Sequence, residues 1–458
     1  MFSVLATSSF RPSPSLSLLS NRVGKEQVRN AVKKAGVNRQ VVASNTKQMQ
    51  KGFRMKKKVE PTAKENHDGV HYMRPMPENR LKVDILKQHQ TVLDLPIFRP
   101  EEMTDMALGK VHAFTPTTNT IMKSFGVPRN VVVDFRLLSK PSSVIRDVTL
   151  RVIDKLDEVV ASTSKVTKMV FTGPPGNGKS YLMLQAIEYA QSVGYIVLYV
   201  PRASKLVDSS TMYTYDPRTR TYVQPKYSHL LLQRLSSVND SSLRTLKLSK
   251  DVLAEDGSVR LSVGSSLYDL ADLGLRDPTL APTVLSNLFA ELAQQSTIPV
   301  LLAIDDIQSL YNHTTLYKNP MYENIKPYHL SVPRLLLEYA SNKKSFSRGM
   351  VIGAISGSNT NWPVPPELQE SLGLTPPRPV SVYEKRYPEI EQYASGLENF
   401  PVPEQLTLDE AAAVYDLWRK DNALHTQSTD ELFLSKYTEA CGNPRRFVWE
   451  GLFRTMTT

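Results

Sequence analysis

The stretch from Gly173 to Ser180 constrains this chain more than any other part of its sequence. It reads Gly-Pro-Pro-Gly-Asn-Gly-Lys-Ser, which fits the pattern G-x-x-x-x-G-K-S of a phosphate-binding loop, or P-loop. A β-branched apolar run over residues 166–171 precedes it, and a breaker-free stretch of helical composition over residues 181–190 follows it. The sequence therefore predicts a strand, a glycine-rich turn and a helix in the order that the motif requires. The alternative is a Gly/Pro turn that binds nothing.

The chemistry of this loop predicts a site for nucleotide phosphates. Glycines let backbone N–H groups curl around phosphate oxygens, and the N-terminus of the following helix adds a positive partial charge. Lys179 is expected to reach the β- and γ-phosphates, and the Ser180 hydroxyl is expected to bind Mg²⁺. The candidate binding residues are Gly173, Pro174, Pro175, Gly176, Asn177, Gly178, Lys179, Ser180 and the adjoining Tyr181.

A second apolar run, residues 298–304, ends in the two acids Asp305 and Asp306. A carboxylate at a strand tip orients the Mg²⁺ shell in P-loop proteins, so we assign Asp305 and Ser180 to the metal site. Asp306 stands where ATPases of the AAA+ type usually place Glu, and a base displaced by about 1 Å loses on the order of 100-fold in rate. The sequence therefore predicts nucleotide binding with slow or absent hydrolysis. An acidic strand end facing solvent is the alternative.

Two further segments add candidate residues to the same site. A third apolar run over residues 349–355 ends in Ser356, Ser358 and Asn359, which either sense the γ-phosphate or form a plain polar turn. Near the C-terminus, Gly442-Asn-Pro-Arg445 resembles the second sensor of AAA+-like NTPases. Arg445 is therefore predicted to pair with a phosphate. A helix N-terminus with surface arginines is the alternative.

Composition divides the chain into segments of different character, with an α/β body at the centre. The expected body is a parallel sheet flanked by helices on both faces. The predicted segments are 1–59, a basic transit peptide or disordered arm; 60–142, a proline-punctuated N-terminal extension; 143–360, a P-loop nucleotide-binding domain with insertions; 361–405, a proline-rich connection; and 406–458, a small helical lid.

The net charge of +11 comes from the first of these segments. Residues 1–59 hold thirteen Lys and Arg against one acid, so the remainder is nearly neutral. Residues 1–25 lack acids and are rich in Ser, which is typical of an organelle transit peptide; an ordinary disordered terminus is the alternative. The remainder of the arm is either a contact to RNA phosphates or a solvated segment. One cysteine, Cys441, excludes an internal disulfide, and no apolar run is long enough for a membrane span.

Two local patterns concern secondary structure. Residues 131–135, Val-Val-Val-Asp-Phe, predict a short strand. Residues 209–227 alternate Tyr with polar residues around Asp216-Pro217, which predicts a β-hairpin. Its tyrosines and arginines either contact RNA or protein or belong to an ordinary hairpin.

These motifs together resemble one family, the mitochondrial small-subunit ribosomal proteins related to death-associated protein three. The resemblance rests on the P-loop, on Tyr195-Ile-Val-Leu-Tyr-Val-Pro201, on Ile304-Asp-Asp-Ile-Gln-Ser-Leu-Tyr311 and on Gly442-Asn-Pro-Arg-Arg-Phe447. It covers roughly residues 90–458. It implies an AAA+-like P-loop NTPase fold with a bound guanine nucleotide, GTP or GDP, and Mg²⁺. No Asn-Lys-x-Asp motif occurs in the chain, so guanine rests on the resemblance alone and ATP stays open.

The resemblance also implies a place and partners. The chain is expected in the mitochondrial matrix, as a structural constituent of the small ribosomal subunit that supports mitochondrial translation. Its expected partners are small-subunit proteins and rRNA, with bridge contacts to the large subunit. The nucleotide is expected to act as an architectural ligand with little or no hydrolysis. Two alternatives stay open, an active AAA+-type matrix ATPase and a nucleotide-switched signalling NTPase.

Overall fold

The computed structural model describes residues 93–161, 167–253, 259–375, 383, 385–424 and 426–456. These residues belong to the second of two compact units, Asp68–Thr458. The predicted transit peptide and basic arm, residues 1–59, lie outside the described residues, and so does the first part of the extension.

Within the described residues the strands form one parallel sheet and three small antiparallel ribbons. In chain order they are β1 (Val111–Ala113), β2 (Ser142–Val144), β3 (Thr167–Thr172), β4 (Ile196–Val200), β5 (Thr214–Asp216), β6 (Thr221–Val223), β7 (Val252–Leu253), β8 (Val259–Leu261), β9 (Val300–Asp305), β10 (Gly349–Ala354) and β11 (Glu398–Pro401). The ribbons pair β1 with β2, β5 with β6 and β7 with β8.

Helices surround this sheet and form the C-terminal part. They are α1 (Pro116–Phe125), α2 (Arg129–Leu137), α3 (Asp147–Ala161), α4 (Lys179–Val193), α5 (Pro225–Val238), α6 (Asp240–Thr245), α7 (Leu267–Arg276), α8 (Ala281–Gln294), α9 (Gln308–Tyr311), α10 (Ser331–Ala340), α11 (Pro366–Ser371), α12 (Pro388–Ala394), α13 (Leu408–Lys420), α14 (Asp430–Glu439) and α15 (Pro444–Arg446). A π-helix, Phe447–Leu452, continues from α15.

The main sheet has the strand order β11-β3-β10-β9-β4, and all of its pairs are parallel. The chain leaves β3 for β4 at one edge, returns through β9 to β10, and then crosses to β11 on the other side of β3. Neighbouring strands β3 and β10 therefore send their following segments to opposite faces of the sheet. Ligands of open α/β sheets bind in the crevice at such a switch point, beyond the carboxyl ends of the strands.

Side chains that alternate along the central strands are buried in two separate hydrophobic cores. One face of β4 and β9 carries Ile196, Leu198, Val300 and Leu302, which pack with buried side chains of α5, α7, α8 and α10. The opposite face carries Val197, Tyr199, Leu301 and Ala303, which pack with α3 and α4. This confirms the predicted α/β architecture of a parallel sheet covered by helices on both faces. The central strands read as continuous apolar runs because both faces are buried.

The N-terminal extension and the C-terminal helices pack against each other beside the sheet. Ser139 donates hydrogen bonds from its backbone N–H and its hydroxyl to the Asp421 carboxylate, at 2.7 and 2.6 Å. Leu417 of α13 shares an apolar cluster with Leu93 and Val111. The carboxyl edge of the sheet is therefore enclosed from one side by both of these segments.

The structure confirms one local prediction and corrects another. Residues 214–223 form the predicted hairpin, with Tyr215 opposite Tyr222. Residues 131–135 were predicted as a strand, but they lie in helix α2. There Val131, Val132 and Phe135 are buried in the core next to α3 and α4, so tertiary packing overrides the context-dependent strand preference of valine. The proline-rich segment 361–405 contributes β11, which pairs with β3 from Met169 to Thr172.

Candidate functional site

The glycine-rich loop, residues 173–178, joins β3 to α4 at the switch point of the sheet. Gly173 and Gly176 have φ values of 128° and 89°, in the region that favours glycine. A Cβ atom at Gly176 would lie 2.7 Å from the Asn443 side chain, so this close approach also needs glycine. The predicted order of strand, glycine-rich turn and helix is therefore present.

Lys179 begins α4 and is buried beneath the loop. Its Nζ donates hydrogen bonds of 2.8 Å to the carbonyl oxygens of Gly173 and Pro174 and to Asn177 Oδ1. Burial lowers the pKa of Lys179 to about 8, and the nearby Asp305 acts in the opposite direction. The ammonium group thus organises the loop and places a positive charge at its base.

Ser180 and Asp305, the two predicted metal ligands, lie in direct contact. The Ser180 hydroxyl donates to Asp305 Oδ2 at 2.8 Å, from α4 to the end of β9. Burial raises the pKa of Asp305 to about 6, the Ser180 hydrogen bond lowers it, and the charge of Asp306 raises it. Hydroxyl and carboxylate oxygens are the hard ligands that Mg²⁺ prefers. In the described part of the chain no cluster of three or more His, Cys, Asp or Glu side chains forms a complete protein cage for a metal.

Asp306 is held between two amide side chains. Gln308 Nε2 donates to its Oδ1 at 2.9 Å, and Asn359 Nδ2 donates to its Oδ2 at 2.8 Å. Its backbone has φ of 65°, which Asp tolerates better than most residues. Of the predicted sensor candidates, Asn359 contacts Asp306, while Ser356 and Ser358 line the cavity described below. Both carboxylate oxygens are therefore occupied by neutral donors.

The turn before α15 lies directly on the glycine-rich loop. Asn443 Nδ2 donates to the Pro175 carbonyl at 3.2 Å, and the Arg445 backbone N–H donates to the Gly176 carbonyl at 3.1 Å. Asn443 also caps α15 by accepting from the Arg446 backbone N–H. The predicted lid residue Arg445 is thus brought to the loop through its backbone N–H.

A cavity of about 230 Å³ joins these groups. Its wall includes residues 175–182 of the loop and α4, Asp305, and residues 355–358 that follow β10. The opposite wall comes from α2, α13 and the segment 444–449. Of the predicted binding residues, all but Gly173, Pro174 and Asp306 line this cavity, and these three lie in direct contact with residues that do.

Sequence reasoning missed two charged residues at this cavity. Arg146 donates to the Asn177 carbonyl at 3.0 Å, to the Gln405 carbonyl at 2.9 Å and to Glu410 at 3.2 Å. It therefore ties the loop to the start of α13. Asp134 of α2 also lines the cavity. Neither belongs to a recognisable motif, because each reaches the site only through contacts with segments that are distant in the chain.

The fold and the site define an α/β protein whose parallel sheet carries a glycine-rich loop, an acidic strand end and a helical lid around one cavity. A family model described as mitochondrial ribosomal death-associated protein 3 matches residues 143–449. Because this match covers more than half of its length, the chain belongs to that family, as the resemblance of its motifs predicts.

Two curated relatives carry the name small ribosomal subunit protein mS29. The protein from Neurospora crassa is 26% identical over 298 residues, which are 64% of this chain and 58% of the relative. The protein from Schizosaccharomyces pombe is 26% identical over 333 residues, which are 71% of this chain and 67% of the relative. The similarity to the first of these therefore spans less than two thirds of that relative's own length.

The described residues contain no helix that is both long enough and apolar enough to span a bilayer.

Proposed function

We propose that this chain is a structural protein of the small subunit of the mitochondrial ribosome, in the matrix, and that it holds a purine nucleotide with Mg²⁺ as an architectural ligand. The ribosomal part is supported by family membership and by the names of the two relatives. Its partners would be small-subunit proteins and rRNA, with bridge contacts to the large subunit. We take GTP or GDP as the nucleotide, with ATP as the competing candidate.

One observation carries the nucleotide part of the proposal. Ser180 and the buried Asp305 meet at 2.8 Å directly below a glycine-rich loop, at the wall of the cavity. The residues present fit a Mg²⁺–nucleotide, because the α4 N-terminus and Lys179 suit phosphates while Ser180 and Asp305 suit a hydrated Mg²⁺. When bound, the ligand supplies negative phosphate oxygens that offset the charge of buried Lys179, and a divalent cation that offsets the charge of buried Asp305.

The residues around the cavity would then act as a clamp. The glycine-rich loop would contact the nucleotide from the side of the sheet, and Arg445 would contact it from the lid. The turn before α15 already forms hydrogen bonds to the loop. Arg146 holds the loop to Gln405 and Glu410 at the beginning of α13. A ligand that contacts loop and lid together stabilises the folded chain, because it binds only when both are in place.

The environment of Asp306 argues against a fast NTPase. A general base must lie within hydrogen-bond reach of the attacking water, and Asp306 does not line the cavity. Both oxygens of Asp306 instead accept hydrogen bonds from Gln308 and Asn359. We therefore favour an architectural ligand with little or no hydrolysis over a matrix ATPase or a nucleotide switch.

The ribosomal part is tested by sedimenting a mitochondrial extract at moderate and at high salt. Co-sedimentation of the protein with the small subunit at both salt concentrations is the expected result. Release at modest salt as a ring-sized oligomer would overturn the ribosomal assignment and favour the ATPase.

The nucleotide part is tested by denaturing the purified chain and identifying the released nucleotides by chromatography. We expect about one nucleotide for each wild-type chain and almost none for Lys179→Ala. Arg151→Ala, at an exposed position on α3, is the matched control and should retain the ligand. A wild-type chain that releases no nucleotide, and binds none when it is added, would overturn this part.

A further inference from the structure

The cavity continues beyond the glycine-rich loop into a mainly apolar recess between α2 and the lid. The side chains that enclose this recess are Leu138, Val414, Leu417, Trp418, Val448 and Trp449. An apolar recess next to a phosphate-type loop has the chemistry that suits a nucleobase, which has flat apolar faces and a polar edge. The polar groups that meet this edge therefore decide which base is accepted.

Asp134 supplies the acidic group from α2 on the wall of this cavity. Its Oδ2 accepts a hydrogen bond of 2.9 Å from the Tyr181 hydroxyl. Its Oδ1 is buried and makes no hydrogen bond of regular geometry among the described residues, although the Trp449 side chain lies close enough to stabilise the carboxylate. An ionised carboxylate has about four acceptor positions, so Asp134 keeps the capacity to accept hydrogen bonds from a ligand in the cavity.

The electrostatic environment of Asp134 agrees with that geometry. Burial raises the pKa of Asp134 to about 6, while Tyr181, Trp449 and the charge of Arg445 act in the opposite direction. Tyr181 directly follows Ser180, so its hydrogen bond fixes the carboxylate relative to the phosphate end of the cavity. Asn130, one helical turn earlier on α2, also lines the cavity and adds an amide on the same helix face.

We propose that Asp134 selects guanine, by accepting hydrogen bonds from the N1–H and the 2-amino group of the base. Guanine presents these two donors side by side, whereas adenine presents the acceptor N1 at the corresponding place and has no 2-amino group. A carboxylate oxygen therefore attracts guanine and opposes the adenine N1. The Asn130 amide supplies a donor of the kind that suits the guanine O6. This inference rests on the proposed nucleotide site and specifies its base.

The sequence alone does not identify Asp134 and Asn130 as residues that contact the base. No Asn-Lys-x-Asp motif occurs, and the acid lies in a segment whose valines predict a strand. In the structure, an asparagine and an aspartate four residues apart on α2 occupy the cavity wall. They lie about forty residues before the loop in the chain, so only folding brings them to the site.

The first test uses the full-length, unmodified chain after removal of bound nucleotide. Dissociation constants are measured with Mg²⁺ for GDP, for inosine diphosphate, which lacks the 2-amino group, and for ADP. Because each lost hydrogen bond to a charged group weakens binding by roughly 10-fold to 100-fold, we expect GDP to bind tighter than inosine diphosphate by such a factor. ADP should be weaker again.

The second test changes the hydrogen-bonding groups of Asp134. Asp134→Asn replaces one acceptor by a donor and keeps an oxygen for the Tyr181 hydroxyl. We expect its affinity for GDP to fall at least 10-fold and its affinity for xanthosine diphosphate, which has a carbonyl at C2, to rise about 10-fold. Asp147→Asn, the same change at an exposed site on α3, is the matched control and should leave the ranking unchanged.

The outcomes separate this inference from the proposed function. Equal binding of GDP, inosine diphosphate and ADP would overturn the role of Asp134 and leave the nucleotide site standing. Binding of no nucleoside diphosphate would overturn the proposed site and the inference with it. If Asp134→Asn does not fold, the comparison of GDP with inosine diphosphate on the unmodified chain decides the question.

Discussion

Lys179, Asp305 and Asp134 are ionisable groups buried around one cavity, and each has a pKa displaced mainly by burial. The pKa of Lys179 falls to about 8, while those of the two acids rise to about 6. Without a ligand each group is therefore less well stabilised in its charged form than in water. Such clusters of displaced pKa values are typical of binding sites.

This displacement predicts a pH dependence of stability. The folded pKa of Asp305, about 6, lies above its ordinary value of 3.8, so between these values the folded state holds more protons than the unfolded state. The Asp305 contribution to the free energy of unfolding of the nucleotide-free chain therefore falls as pH rises from about 4 to 6. Asp305→Asn removes this titration and should gain on the order of 2 kcal/mol relative to wild type over that window. The free energies of unfolding of wild type and Asp305→Asn are measured in urea across this pH range. If both change with pH in parallel, this expectation is contradicted.

We expect substitution of Asp306 to change the stability of the fold, whereas substitution of a catalytic base would change the rate of hydrolysis. Asp306→Asn keeps a side chain that tolerates positive φ, but it places an amide donor against Gln308 or Asn359, which are donors themselves. We expect the free energy of unfolding to fall by roughly 1–3 kcal/mol. Chemical denaturation measures it. Unchanged stability combined with loss of multiple-turnover hydrolysis would instead identify Asp306 as a catalytic base.

The turn before α15 connects two elements, because Asn443 caps that helix and also bonds the Pro175 carbonyl. The lid is thus held to the loop by hydrogen bonds as well as by any ligand between them. Its attachment should control how long a nucleotide stays bound.

Asn443→Ala is therefore expected to speed nucleotide release several-fold, because it loses the cap, worth about 1 kcal/mol, together with the contact to the loop. The release rate of a fluorescent GDP analogue gives the measurement. Thr429→Ala is the matched control, since Thr429 caps α14 by accepting from the Leu432 N–H. Equal effects of the two variants on release would show that the contact to the loop is unimportant.

Strand β11 lies in the proline-rich segment 361–405 and contributes to the site. Phe400 packs against Phe171 with ring centroids 5.5 Å apart, and the Val402 carbonyl accepts from Asn177 Nδ2 at 3.0 Å. The proline-rich segment therefore closes the sheet beside β3 and supports the glycine-rich loop from behind.

The cavity lies where three parts of the chain meet: the N-terminal extension, the parallel sheet and the C-terminal helices. Contacts such as Arg146 to Glu410 and Ser139 to Asp421 join parts that are more than 250 residues apart in the chain. A ligand in this cavity would contact all three, which would suit a role in assembly of the fold.

We therefore expect GDP with Mg²⁺, present at 1,000 times its dissociation constant, to raise the free energy of unfolding by about 4 kcal/mol. Calorimetry of the full-length chain with and without the ligand gives the measurement. Lys179→Ala should show a much smaller increase, because the positive charge below the loop is lost. A wild-type chain whose unfolding does not respond to saturating nucleotide would argue against an architectural role.

The sequence by itself determined the central strands, the glycine-rich loop and its helix, and the Tyr-rich hairpin, all of which the structure contains. These features are local, because periodicity, turn chemistry and caps act over a few neighbouring residues. The nucleotide and the metal stay predictions.

Only the tertiary structure decided that residues 131–135 are helical, that β11 joins the sheet, and that Asp134 and Arg146 reach the cavity. Each of these depends on contacts between distant segments. Burial of Val131, Val132 and Phe135 outweighs their local strand preference, and no spacing along the chain encodes which side chain will face a ligand across a fold.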